Sequence, residues 1–301
     1  MKYLKMVSVK ASHFLFVKNR QTDKNVVYYH PISLIILTIG GIKMPTFKNA
    51  IVRKPCRAMI NGITTYLEEG KPVYETALKQ HAEYVKTLQA LGLEVLELDP
   101  LEAYPDSCFV EDTAVVMERC VVITNPAKDS RNGEKHEILG AIQKYYDETQ
   151  IFHIQAPGTM EGGDVMRVGD HFYIGLSDRT NEVGAKQFDE IVTKFGYTSS
   201  TLPVTEGLHL KDFVIYLENN NMLVSAVMNE IPDFSAFNRF VIASEEIYAI
   251  NSLYINGTVI VPEGYPKTQK IIEDLGYPVK LVDSNEYKKI DGSLTCLSLR
   301  F

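Results

Sequence analysis

The chain alternates between stretches whose apolar residues have helical spacing and short, nearly continuous apolar runs. The clearest helical stretch is YETALKQHAEYVKTLQALG (74–92), where Leu78, His81, Val85, Leu88 and Leu91 recur at three- and four-residue intervals and share one face. It ends at a glycine and passes directly into LEVLELD, a strand candidate. The same unit returns as NEVGAKQFDEIVTKFG then YTSSTLP, and as YPKTQKIIEDLG then YPVKLVD; a weaker copy, HEILGAIQKYYD then ETQIFHIQA, lacks the glycine. Between the units lie AVVM (114–117), CVVIT (120–124), HFYIGL (171–176), FVIYL (213–217), MLVSAVM (222–228) and LYINGTVIVP (253–262), all of which predict strands. Four helix-to-strand units are visible, whereas the roughly 255 residues from Thr46 onward, in units of about 50, leave room for five. The pattern predicts an α/β fold, either a closed ring of repeats or an open α/β sheet.

The first 46 residues break this pattern. They carry seven Lys or Arg (Lys2, Lys5, Lys10, Lys18, Arg20, Lys24, Lys43) against one acid, Asp23, a net +6 that leaves −13 on the remainder of a chain whose total is −7. The apolar run ISLIILTIGGI (32–42) falls well short of the roughly 20 residues that span a bilayer, and Lys43-Met44-Pro45 is no signal-peptidase site. Residues 1–45 are therefore expected to be an extension outside the fold, the working chain starting near Met44 and residues 46–301 forming a single catalytic domain. A peripheral membrane anchor is the alternative.

Charge and cysteines narrow the function. An acidic chain lacks the Lys and Arg excess that phosphate neutralisation needs, so a small or cationic partner fits better than nucleic acid. Cys56, Cys108, Cys120 and Cys296 form no CxxC pair and no metal-finger spacing with the seven histidines, which argues against structural zinc and for a reducing, cytoplasmic setting.

Polar chemistry is concentrated in four places. YPDSCFVEDTAVV sets Asp106, Glu111 and Asp112 just ahead of a buried-looking strand, where adjacent carboxylates are costly unless a cation neutralises them; a solvated turn is the blander reading. APGTMEGGDVMRVGDHFYIGL places Glu161 and Asp164 around a glycine pair, which permits a close backbone approach to a ligand or forms an ordinary hairpin turn. In EGLHLKD, His209 sits between leucines, as a catalyst or as a satisfied core histidine. In KKIDGSLTCLSLRF, Cys296 follows an Asp-Gly turn and opens a short alternating strand; taken alone it reads as core.

Together these segments resemble one family. From Phe47 to Phe301, through FKNAIVRKP, NGITT, GKPVYETALKQH, YPDSCFVEDTAVV, ITNPAKDSRNGE, APGTMEGGD, GDHFYIGLSDRTNE, LHLKD, YLENNN, GYPKT and KIDGSLTCLSLRF, the chain is similar to the bacterial-type dimethylarginine dimethylaminohydrolases. These belong to the guanidine-modifying (pentein) superfamily, which also holds the arginine and agmatine deiminases. The resemblance implies a five-bladed α/β propeller of ββαβ units. It implies Cys296 as nucleophile, His209 as general acid and base, and Glu161 as the carboxylate that orients and charges the imidazole. Asp112, with Glu111 beside it, would hold the guanidinium, Asp106 and the carbonyls of Ile63 and Ile290 the α-amino group, and Arg131 and Arg179 the α-carboxylate. Ile63 would lie in a mobile lid.

The implied reaction is hydrolysis of dimethylarginine or monomethylarginine to citrulline and an alkylamine through a covalent thiouronium, with no metal or organic cofactor. A guanidinium is a poor electrophile until acids hold it out of water beside a thiolate, and two arginines match a planar carboxylate through their fixed donor forks. Arg131 and Arg179 favour a free amino acid over agmatine. Citrulline hydrolysis and arginine deimination on the same scaffold are alternatives, and so is a non-catalytic amino-acid binder. The partner is a small arginine-like molecule, a homodimer is the assembly allowed for, and an exposed low-pKa cysteine would bring redox sensitivity.

Overall fold

The continuous apolar runs form inner and central strands of five three-stranded sheets in the computed structural model. The structure describes residues 46–301 and two short antiparallel strands, β1 (Phe16–Lys18) and β2 (Asn25–Val27); the run 32–42 lies outside the described residues. The chain divides into two units, Met1–Ile39 and Gly40–Phe301. No helix among the described residues is long and apolar enough to cross a membrane.

Four sheets follow chain order: β5 (Ala114–Val116), β6 (Val121–Ile123) and β7 (Ile151–His153); β8 (Val165–Val168), β9 (His171–Leu176) and β10 (Thr198–Pro203); β11 (Val214–Glu218), β12 (Asn221–Val224) and β13 (Asn238–Val241); β14 (Leu253–Ile255), β15 (Thr258–Pro262) and β16 (Val279–Val282). The fifth joins the ends of the domain, with β17 (Leu299–Arg300) beside β3 (Asn49–Arg53) and β3 beside β4 (Glu94–Leu98). In every sheet the central strand is antiparallel to the inner one and parallel to the outer one. A parallel partner requires a crossover, which is why helical segments intervene before each outer strand: α1 (Tyr74–Ala90), α2 (Asp129–Asn132) with α3 (Glu134–Ile142), α4 (Glu182–Val192), α5 (Ala226–Asn229) and α6 (Pro266–Asp274). The central strands β6 and β12 are buried at every position, whereas the outer β4, β13 and β16 mix exposed and covered ones.

Residues from all five inner strands, β5, β8, β11, β14 and β17, line one cavity of about 820 Å3. The sheets therefore close into a ring, a five-bladed α/β propeller, and the open-sheet alternative is excluded. The C-terminus seals it, since the Phe301 carbonyl accepts from the Lys48 and Asn49 amides (2.8 and 2.7 Å).

Several local readings change. MLVSAVM is not one strand. β12 stops at Val224, where the Ser225 hydroxyl accepts from the Met228 amide (3.1 Å) and caps α5, a single turn too short to register a helical period. This is the unit the pattern did not reveal. LYINGTVIVP is a hairpin, β14 to β15, turned by Asn256 and Gly257 at φ 47° and 93°. The buried face of α1 runs through Ala77, Gln80, His81, Tyr84 and Leu88, leaving Leu78, Val85 and Leu91 half-buried at its margin. Cys296 lies in a 3-10 turn, Thr295–Leu297, ahead of β17.

His81 is buried on α1 with Nδ1 3.5 Å from Glu97, and its Nε2 has no partner among the described residues. Burial, only partly offset by Glu97, lowers its pKa to about 4. A depressed histidine stabilises the fold above its unfolded value near 6.5, and that contribution is lost as pH falls toward 4; the 2.5-unit gap is worth roughly 3 kcal/mol at most. Urea unfolding of wild type and His81→Leu from pH 7 to 4 tests this. Wild type is predicted to lose stability relative to the variant across that window, whereas parallel curves would contradict it.

Candidate active site

Four inner strands are entered through short 3-10 turns: Val110–Thr113 before β5, Gly162–Asp164 before β8, Leu210–Asp212 before β11 and Thr295–Leu297 before β17. Asp112 lies in the first, Glu161 and His209 immediately precede the second and third, and Cys296 lies in the fourth. The repeat brings these approaches together around the ring. The remaining blade supplies Asn251, which accepts from the Thr295 amide (3.0 Å) and donates to the Lys211 carbonyl (3.2 Å).

A cavity of about 310 Å3 at this end is lined by Asp112, His209, Cys296, Asp106, Arg131, Arg179, Ile63 and Ile290. Glu161 stands behind it, with Oε2 2.8 Å from His209 Nε2 and both oxygens 3.2 Å from Arg179 Nη1. Asp112 accepts from Arg131 Nη1 (2.6 Å) and the Gly163 amide (3.0 Å), and lies 3.8 Å from His209 Nε2. The glycine pair is no ordinary hairpin turn. A Cβ on Gly162 would stand 2.0 Å from the Glu111 carbonyl oxygen, and one on Gly163 2.6 Å from the His209 ring, so both are fixed by close approach.

Asp106, Glu111 and Asp112 are each at most 4% exposed, so the solvated-turn reading fails. Glu111 departs from expectation in another way. It accepts from Lys211 (2.6 Å), Arg300 (2.7 Å) and Thr295 Oγ1 (2.7 Å) and lines the inner-strand cavity rather than the smaller one. Arg131 is largely occupied, giving two bonds to Glu134, one to Asp112 and one to the Phe109 carbonyl. The Arg179 guanidinium donates through Nη1 alone among the described residues. Ile63 is held by its amide donating to Asp106 (3.0 Å), and the neighbouring Thr65 by amide and hydroxyl bonds to Asp291.

Electrostatics follow from this packing. Burial would depress His209, but Asp112, Glu161 and Asp164 outweigh it and hold the imidazole up at about 10. Glu161 moves the other way: burial opposes its charge, yet His209, Arg131 and Arg179 keep it below the usual carboxylate range. Burial raises Cys296 far above an ordinary thiol, and Glu111, Asp112 and Asp212 add to the shift. The site at rest holds a neutral thiol beside an imidazolium. Burial also raises Asp106, partly offset by Arg131. Asp112, Glu161 and His209 are close enough to offer ligands to a metal ion, but Arg131 and Arg179 already neutralise the acids.

Sequence reasoning passed over Glu134, Asp212 and Asp291. The i, i+3 spacing of Arg131 and Glu134 was the available signal for the first. Asp212, three residues after His209 and bonded to its amide, has the same local spacing, whereas Asp291 depends on its long-range contact with Thr65 and had no signal.

Comparison with known proteins identifies the family. The family profile described as N,N dimethylarginine dimethylhydrolase, eukaryotic, matches residues 50–231. The N(G),N(G)-dimethylarginine dimethylaminohydrolase of Pseudomonas aeruginosa is 45% identical over 255 residues, covering 85% of this chain and 100% of that one. The enzyme of the same name from Streptomyces coelicolor is 35% identical over 257 residues, covering 85% and 98%. The crystal structure of a Cys-to-Ser variant of the Pseudomonas protein, complexed with citrulline, superposes with a TM-score of 0.83 at 44% identity, over 85% of this chain and all of that one. The chain belongs to the dimethylarginine dimethylaminohydrolase family.

Proposed function

We propose that the protein hydrolyses Nω,Nω-dimethyl-L-arginine, and the monomethyl form, to L-citrulline and the corresponding methylamine. The observation that carries this reading is a single cavity in which a thiol, an imidazolium and a buried carboxylate converge, in a chain so similar to enzymes of that name. Asp106 with the carbonyls of Ile63 and Ile290 would take the α-amino group, and Arg179 with Arg131 the α-carboxylate. Arg131 must loosen from Asp112 to do so, which frees that carboxylate for the incoming guanidinium.

Catalysis then follows from charge. In the empty site the carboxylates disfavour a thiolate on Cys296; a bound guanidinium supplies the positive charge that reverses this. Cys296 loses its proton to solvent as the cation binds, and the thiolate adds to the guanidinium carbon. His209, charged through Glu161, gives its proton to the departing nitrogen as the C–N bond breaks, leaving a covalent thiouronium. The neutral imidazole then takes a proton from water, whose oxygen attacks the same carbon, and release of the thiolate yields citrulline.

Incubation with dimethylarginine is predicted to give citrulline and dimethylamine in equal amounts; ornithine and ammonia from citrulline, or ammonia from arginine, with no citrulline from dimethylarginine, would overturn the assignment. Cys296→Ala is expected to lose roughly four orders of magnitude in kcat or more while retaining ligand affinity, and near-normal turnover would exclude Cys296 as nucleophile. Asp112→Asn should lower kcat/KM about 100-fold, since it removes the charge facing the guanidinium and leaves Arg131 underpaired. An effect below a few-fold would remove Asp112 from that role.

A further inference from the structure

The surroundings of Cys296 work against its ionisation. Glu111 and Asp112 come from the turn before β5 and Asp212 from the turn before β11, and all three raise the thiol. Asp106 and Asp291 stand on the same cavity wall, held by the Ile63 and Thr65 amides. The cations nearby are turned to other partners: His209 and Arg179 to Glu161, Arg131 to Asp112 and Glu134. Tyr248, on the 3-10 segment Ser244–Ile250, gives its hydroxyl to the Gly292 carbonyl. One neutral group acts the other way. The Ser293 hydroxyl lies 3.4 Å from Cys296 Sγ and lowers the thiol.

Ser293 is buried, and its hydroxyl has no other hydrogen bond among the described residues. The backbone on both sides fixes its place. The Gly292 carbonyl accepts from Tyr248 Oη (2.9 Å), and the Gly292 amide donates to the Tyr287 carbonyl (2.9 Å). A Cβ on Gly292 would stand 2.1 Å from the Phe109 ring, so the chain passes there too closely for any side chain. Beyond Ser293, the Cys296 amide donates to the Ser293 carbonyl (3.2 Å) and the Thr295 amide to Asn251 (3.0 Å). Hydroxyl and thiol are thus three residues apart in one tightly held turn.

A thiol and a hydroxyl can each donate to the other, but a thiolate can only accept. Once the sulfur is charged, Ser293 is therefore the donor, and a bond to a charged acceptor is the stronger one. The contact favours the form of Cys296 that the attack requires. Resting on the reading of Cys296 as nucleophile, we propose that Ser293 is a further catalytic residue, which donates its hydroxyl to Sγ and stabilises the thiolate. Ser293 transfers no proton: the thiol proton leaves to solvent, while the hydroxyl keeps its own and turns it to the sulfur. The same bond is available when the C–S bond of the thiouronium breaks and the thiolate departs, so it assists both attack and release.

The test compares wild type with Ser293→Ala and Ser293→Gly on two readouts. The first is the pH profile of kcat for dimethylarginine, whose ascending limb reports ionisation of the sulfur in the bound complex. Without the hydroxyl that limb should move up by about one pH unit. The second is the rate at which iodoacetamide alkylates Cys296 in the free protein at pH 8, followed by peptide mass. It should fall about tenfold in both variants, because the thiolate is the reacting form. Either variant suffices if the other fails to fold. A limb that stays in place while kcat falls equally at every pH, or alkylation as fast as in wild type, overturns the role of Ser293 and leaves the hydrolase assignment standing. No turnover of dimethylarginine by wild type removes that assignment, and the alkylation rates then decide on Ser293 by themselves.

Discussion

Asp112 is the contact on which the site depends. It is 2% exposed, and a carboxylate in that position survives only because Arg131, the Gly163 amide and the nearby His209 compensate for lost water. The same charge raises His209, opposes ionisation of Cys296 and engages Arg131. This buried anion therefore acts on three other groups at once, beside burial and Glu111 at Cys296, Glu161 and Asp164 at His209, and Glu134 at Arg131. On the proposed function, an arriving guanidinium takes the place of Arg131 at this acid and relieves the thiol.

The ring places that anion. Closing five blades on one another puts the approach to every inner strand at the same end, so residues separated by more than a hundred positions meet without a long loop to carry them. Glu111 and Asp112, adjacent in sequence, are divided between the two cavities: Glu111 turns to Lys211, Arg300 and Thr295, Asp112 to Arg131 and His209. Because Arg300 belongs to β17, the strand that completes the first blade, the closure of the ring and the neutralisation of Glu111 are the same structural event.

Much of this was legible in the sequence, for identifiable reasons. The helices α1, α4 and α6 are long enough to display their period, and the central strands are apolar on both faces, so four blades could be read directly. The blade built on β11 to β13 could not, because Ser225 ends the strand and caps a helix of only four residues. Cys296 and His209 looked like core on local grounds and are indeed buried; only their resemblance to the family set them apart. Glu111 was expected beside Asp112 on the resemblance, and in the tight turn its side chain points to Lys211, Arg300 and Thr295 instead of Arg131. Asp291 carried no sequence signal, since its partner Thr65 lies far away in the chain.

On the proposed mechanism Cys296 is a neutral thiol in the empty site and becomes a thiolate when a cation occupies it. The most direct measurement is the ultraviolet thiolate absorbance of wild type, taken as a difference from Cys296→Ser, at neutral pH. It is recorded without ligand, with L-lysine as an unreactive cation, and with citrulline as a neutral isostere. The account predicts signal with lysine and none in the free protein or with citrulline. A thiolate already present in the free protein, or no signal with saturating lysine, would contradict it.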